Sequence, residues 1–108
     1  MNFSEEILNT ALEMSMEFGE NWLKPIHERI HKKYPNISSE DLDELNSICK
    51  KVNQSANNYV YENVSVINGE IKFVDFDKFK NDILLKYNWI SKINLSHLYS
   101  QSCYYAMK

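Results

Sequence analysis

Two histidines bracket a glutamate in the segment His27-Glu28-Arg29-Ile30-His31. In a helix, residues four apart lie one turn apart on the same face, so both imidazoles can ligate one zinc ion. The glutamate that follows the first histidine can then act as the general base that activates a zinc-bound water. The spacing of His27, Glu28 and His31 therefore predicts zinc-assisted hydrolysis as one candidate function of this chain.

This short motif resembles the zinc-binding helix of the zincin metallopeptidases. The resemblance implies a third protein ligand and an open position for water. The longer metzincin form of the motif has glycine and histidine at the positions that Tyr34 and Ile37 hold here. Candidates for the third ligand are Asp41, Glu44 and His97, but no motif places any of them. A minimal zinc metallopeptidase is therefore the alternative function.

A non-catalytic interpretation explains the same segment by helix packing. Its apolar residues recur at steps of three and four, which places them on one helical face: Trp22, Leu23, Ile26, Ile30 and Tyr34. His27 then borders the buried face, and the charged residues form a solvated one: Glu28, Arg29, Lys32 and Lys33. Motifs with three fixed residues recur by chance, and no strand pattern precedes His27 to hold an extended peptide. The leading interpretation thus has no catalytic residue, no metal ligand and no cofactor, and zinc belongs to the alternative.

The composition predicts an all-α fold. The chain has 108 residues, of which 44% are hydrophobic and 25% charged, which is typical of one folded domain. It contains two glycines and two prolines, fewer than a fold with many tight turns needs. We therefore expect a single helical domain over residues 1–108, a bundle of four to five helices with a short β-hairpin possible at about 64–74.

Capping residues and apolar periodicity predict the first three helices. Helix 1 begins after Ser4 and runs to about Phe18. Helix 2 has Pro25 in its first turn and ends at Tyr34, because the residue before a proline disfavours the helical region. Helix 3 begins at residue 38 or 39 and runs to about Glu62, which would make it the longest element. Its first turns carry four carboxylates, on Glu40, Asp41, Asp43 and Glu44.

The segment that follows helix 3 has two interpretations. Asn68-Gly69 between β-branched residues is typical of a two-residue hairpin turn, and pairing about it sets Val66 opposite Ile71 on an apolar face. Alternatively, helix 3 continues to Asn68 and Gly69 is its C-terminal cap. Beyond this segment, Asp75 or Asp77 is expected to cap helix 4, and Asn94 a final helix.

The predicted core consists of the apolar residues that face inward on these helices. They are Ile7, Leu12, Phe18, Trp22, Ile26, Ile30, Leu42, Leu45, Val52, Phe79, Ile83 and Leu98.

Cysteine usage and hydropathy predict a cytoplasmic protein with no membrane partner. Cys49 and Cys103 are distant and form no C-x-x-C pair, which favours free thiols in a reducing compartment. The chain begins without a basic segment, and no apolar run reaches the roughly 18 residues of a membrane span.

The charge distribution indicates the kind of partner. A net charge of −3 argues against nucleic acid as the partner, because binding phosphates needs a basic surface. Residues 1–44 contain ten acidic and four basic residues, a net of −6, and residues 45–108 contain five and eight, a net of +3.

The leading prediction is a protein-binding or inhibitory module without catalysis. Its binding residues would be Glu40, Asp41, Asp43 and Glu44, and its partner a basic protein. Toxin-immunity proteins and phage-encoded inhibitors, which act against host defence, are often small acidic proteins of this kind, an analogy of class only. A third candidate is a homo-oligomeric structural protein that assembles through exposed aromatic side chains.

Overall fold

A computed structural model of the chain describes residues 3–16 and 26–107. Within these ranges it contains five helices and one two-stranded antiparallel sheet. Their bounds are α1 (Glu5–Ser15), α2 (His27–Lys33), α3 (Ser39–Glu62), β1 (Ser65–Ile67), β2 (Glu70–Lys72), α4 (Phe76–Lys86) and α5 (Lys92–Ala106). The predicted helical fold with a short hairpin is therefore confirmed.

Backbone contacts group the chain into two compact units, Met1–Lys51 and Val52–Lys108. The first unit holds α1, α2 and the first half of α3, and the second holds the remaining elements. The organisation as one domain stays a prediction. Among the described residues, no helix is both long and apolar enough to cross a membrane.

In the first unit, α1 begins as predicted but ends earlier. The Ser4 hydroxyl accepts a hydrogen bond from the Ile7 amide at 3.2 Å, which caps the helix. The helix ends at Ser15, not near Phe18, and two side chains bind its last carbonyls. The Ser15 hydroxyl donates to the Leu12 carbonyl, and the Arg29 guanidinium donates to the Met14 carbonyl, both at 2.6 Å. Such bonds satisfy carbonyls that a helix end leaves without partners.

The second helix is shorter than predicted. It spans His27–Lys33 and ends before Pro35, as the proline rule requires. The predicted first turn around Pro25, and the core positions Phe18, Trp22 and Leu23, lie outside the described residues.

Helix α3 has the predicted bounds and is the longest described element, at 24 residues. The Ser38 hydroxyl caps it by accepting a hydrogen bond from the Asp41 amide at 3.1 Å. Carboxylates in the first turn add to this cap because the amino end of a helix carries partial positive charge.

The hairpin, and not a longer α3, follows Glu62. Asn68 and Gly69 have φ values of 54° and 78°, the positive pair that a type I′ turn requires. The strands pair in the predicted register, with Val66 opposite Ile71. The predicted apolar face stays open to solvent, because all residues of both strands are exposed.

Helices α4 and α5 differ from expectation in their caps. Asp75 is the N-cap residue of α4, but its side chain makes no capping hydrogen bond. In α5 the cap is Ser91, whose hydroxyl accepts from the Asn94 amide at 3.2 Å. The prediction that Asn94 caps α5 is therefore wrong, and Asn94 is a buried residue in its first turn.

The predicted core is largely confirmed. The predicted residues that are buried are Leu12, Ile26, Ile30, Leu42, Leu45, Val52, Phe79, Ile83 and Leu98. Ile7 is only half-buried. Further buried apolar residues include Cys49 in the first unit and Val60 and Leu95 in the second.

Candidate functional site

The first two turns of α3 form an acidic surface, which we define as Glu40, Asp41, Asp43 and Glu44. Asp41 is half-buried, and the other three side chains are exposed. The alternating burial follows from the helical period, since Leu42 and Leu45 on the opposite face are buried. The acidic surface therefore lies on a helix whose opposite face is buried.

One carboxylate of the acidic surface contacts a histidine of the zinc-like motif. The Nε2 atom of His27 lies 2.6 Å from an Oδ atom of Asp43, and their side chains are 35% and 77% exposed. An exposed pair of this kind contributes about 0 to 1 kcal/mol to stability. Beside this pair, the Ile26 amide donates to the Asn46 side-chain oxygen at 3.4 Å, so α2 and α3 are joined at two adjacent points.

The three residues of the zinc-like motif differ in their exposure to solvent. His27 is half-buried against α3, whereas Glu28 and His31 are exposed. Glu28 lies 3.8 Å from the Lys32 amine, one helical turn away, and both side chains are more than 70% exposed. Glu28 therefore lies on a solvated face of the helix, where a pair of this kind is common.

The expected third zinc ligand differs from the contact observed. Asp41, Glu44 and His97 are the candidates that the sequence offers for a third ligand, but the carboxylate that contacts a motif histidine is Asp43, and the histidine is His27. Within residues 3–16 and 26–107, no group of three or more histidine, cysteine, aspartate or glutamate side chains is placed to hold a metal ion.

Arg29 departs from the predicted solvated face. Its side chain is half-buried, and its guanidinium donates to the Met14 carbonyl at the carboxyl end of α1. A cation is favoured there by the partial negative charge of the helix end. Arg29 thus joins α2 to α1, a structural role that helical periodicity alone does not reveal.

The second unit contains a groove of about 480 Å³ that the sequence analysis did not predict. It is lined by Ser55, Asn58, Tyr59, Glu62, Asp82, Ile83, Leu85 and Lys86. The Tyr59 hydroxyl donates to the Asp82 carboxylate. Burial, followed by this hydrogen bond and the carboxylate charge, raises the pKa of Tyr59 to about 12. Tyr59 therefore stays protonated at neutral pH and is a hydrogen-bond donor rather than a base.

Burial affects the thiols of both cysteines. Cys49 is buried, and burial raises the pKa of its thiol to about 12 against a smaller opposing hydrogen bond with Ser15. Burial likewise raises the pKa of Cys103, which also contacts Tyr99 on the same helix. Because the thiolate is the reactive form, a raised pKa lowers the reactivity of both thiols near pH 7.

All seven residues of the two predicted sites lie in the described part of the first unit. The structure joins His27 to Asp43, and the remaining carboxylates lie on the same two turns of α3. No protein-family model, curated protein or solved structure matches the chain.

Proposed function

We propose that the chain is a protein-binding module whose acidic surface at the start of α3 binds a basic surface on another protein. The observation that carries this proposal is the concentration of four carboxylates in the first two turns of one long helix. Three of these side chains are exposed. The inhibitory role predicted from the sequence is one form of this function. In that form, the acidic surface covers the active or binding site of the partner.

Rigidity supports a recognition role for this surface. Below it, Leu42, Leu45 and Cys49 are buried, so the backbone of α3 is held by the core. At its edge, the Ser38 hydroxyl caps the first turn, and Asp43 in the second turn contacts His27. Carboxylates on such a backbone steer a complementary partner, and the backbone loses little freedom on binding.

The proposal is tested by comparing two triple variants as affinity baits in an extract of the source cells. The first replaces Glu40→Gln, Asp41→Asn and Glu44→Gln, which leaves Asp43 and its histidine contact intact. The matched control replaces Glu62→Gln, Asp75→Asn and Asp77→Asn, exposed acids of the second unit. Both variants lose three negative charges, and both weaken the charge at a helix start.

Wild type and the control variant should retain the same basic protein, and the first variant should lose it. Loss of three cross-interface charge contacts should weaken binding by roughly tenfold or more, and added salt should weaken the wild-type complex. Equal retention by both triple variants would contradict the proposal. Circular dichroism of the three baits establishes that the helices are intact.

A further inference from the structure

The hairpin offers an open strand edge in the second unit. Its sheet has only the strands β1 and β2 within the described residues, so neither outer edge is paired there. Val66, Ile67 and Ile71 are 68%, 55% and 55% exposed, unusual for β-branched residues in a strand. Natural proteins usually cover or block such edges, because unpaired backbone groups are ready to accept another strand.

The turn fixes which backbone groups point outward. In a two-residue hairpin the pair that closes the turn is hydrogen-bonded, here Ile67 with Glu70, and bonded and non-bonded pairs alternate. Val66 and Ile71 are the next pair, so their N–H and C=O groups point away from the hairpin. With respect to residues 3–16 and 26–107, Ile71 therefore carries an unpaired donor and acceptor at the centre of the outer edge of β2.

We propose that two copies of the chain associate through this edge, with β2 of one copy antiparallel to β2 of the other. A two-fold axis through Ile71 lets each copy's Ile71 exchange both backbone hydrogen bonds with its counterpart. The product is a four-stranded sheet in the order β1-β2-β2-β1. This association involves none of the residues of the acidic surface, so it stands or falls independently of the proposed function.

Charge complementarity favours pairing through β2, in this register, over pairing through β1. With Ile71 on the axis, Glu70 of each copy lies directly opposite Lys72 of the other, which gives two opposite-charge pairs per dimer. Within one copy these side chains already share a face, with the Lys72 amine 3.4 Å from the Glu70 carboxylate. The equivalent arrangement of β1 would set Ser65 opposite Ile67 and gain no charge pair.

Apolar contact favours the same arrangement. Val66 lies opposite Ile71 within the hairpin, and the axis sets the two Ile71 side chains opposite each other. One face of the four-stranded sheet then carries a continuous row of Val66, Ile71, Ile71 and Val66. The contact is small for a protein interface, so the dimer should be weak and depend on concentration.

Sedimentation velocity of wild type and charge variants tests the pairing. Glu70→Lys sets lysine opposite Lys72, and Lys72→Glu sets glutamate opposite Glu70. Each variant alone should dissociate at roughly tenfold higher concentration than wild type, because like charges opposite each other repel. An equimolar mixture of the two should dimerise again, since every facing pair is then of opposite charge.

A pair of proline variants tests the edge without changing charge. Ile71→Pro removes the outward N–H of β2 but no hydrogen bond of the hairpin, and it should abolish the dimer. Val66→Pro makes the same change on the outer edge of β1 and should leave the dimer intact. Cross-strand NOEs between residues 65 and 72 establish that each hairpin is folded.

Three results would overturn the inference. One is a wild-type chain that remains monomeric up to about 1 mM. Another is a mixture of the two charge variants that dimerises no better than either variant alone. The last is a pair of folded proline variants that dimerise equally.

Discussion

Phe79 is the residue whose substitution best tests the packing of the second unit. It is fully buried on α4, and its ring centroid lies 5.9 Å from that of Tyr59 and 5.3 Å from that of Tyr99. Phe79→Leu keeps an apolar side chain but removes both ring contacts. Each contact contributes about 0.5 to 1.5 kcal/mol, so the free energy of unfolding should fall by about 1 to 3 kcal/mol.

Urea denaturation followed by circular dichroism measures this loss. At a slope of about 2 kcal/mol per molar urea, the midpoint should fall by about 0.5 to 1.5 M. The matched control is Leu85→Ala on the same helix, where the side chain is 85% exposed. The control should change stability by less than about 0.5 kcal/mol. A loss below that value for Phe79→Leu, or an equal loss for the control, would refute the packing described here.

Four further predictions concern the rest of the chain. Ile30→Ala, at a fully buried position, should cost about 2 to 5 kcal/mol in urea denaturation, and a cost below about 0.5 would mean that α2 is packed differently. Gly69→Ala should cost about 1 to 2 kcal/mol and weaken the NOEs across the hairpin, because a φ of 78° strains alanine even though no atom lies within 4 Å of the added Cβ. Glu28→Gln should change stability by less than about 0.5 kcal/mol, and purified wild type should contain no stoichiometric zinc by mass spectrometry. Equimolar zinc that is lost in both His27→Ala and His31→Ala would contradict this prediction and favour the metallopeptidase alternative. The free energy of unfolding should fall as the pH rises from about 9 toward 12. The reason is that the Cys49 thiol ionises near its ordinary pKa of 9.0 in the unfolded chain but only near 12 in the folded one. A pH dependence that is unchanged in Cys49→Ala would contradict the raised pKa of this thiol.

Local signals were sufficient to predict the longest helix and the hairpin. The serine cap and early carboxylates of α3 act within one turn, and its apolar period then continues without interruption to Glu62. Asn68-Gly69 specifies a turn because few other pairs adopt two consecutive positive φ values. The register follows from that turn, so the pairing of Val66 with Ile71 needed no knowledge of the rest of the fold.

Contacts between distant residues explain what the sequence did not reveal. At the end of α1 the Met14 carbonyl accepts from Arg29, a residue of another helix, and the partner of His27 is Asp43, sixteen positions away. In α5, Ser91 and Asn94 are both good capping residues three positions apart; the Ser91 hydroxyl makes the capping hydrogen bond, and Asn94 is buried. The groove beside Tyr59 likewise arises from side chains of two separate helices.

The role of the acidic surface as the binding site is tested most directly by nuclear magnetic resonance. The ¹⁵N-labelled chain is titrated with the basic protein that the wild-type bait retains. We expect the largest amide shift changes on residues 39–47 of α3. The second half of the same helix, residues 53–62, serves as the internal control and should change little. Shift changes that concentrate in residues 53–62 or in the hairpin, and leave residues 39–47 unchanged, would contradict the assignment of the acidic surface as the binding site.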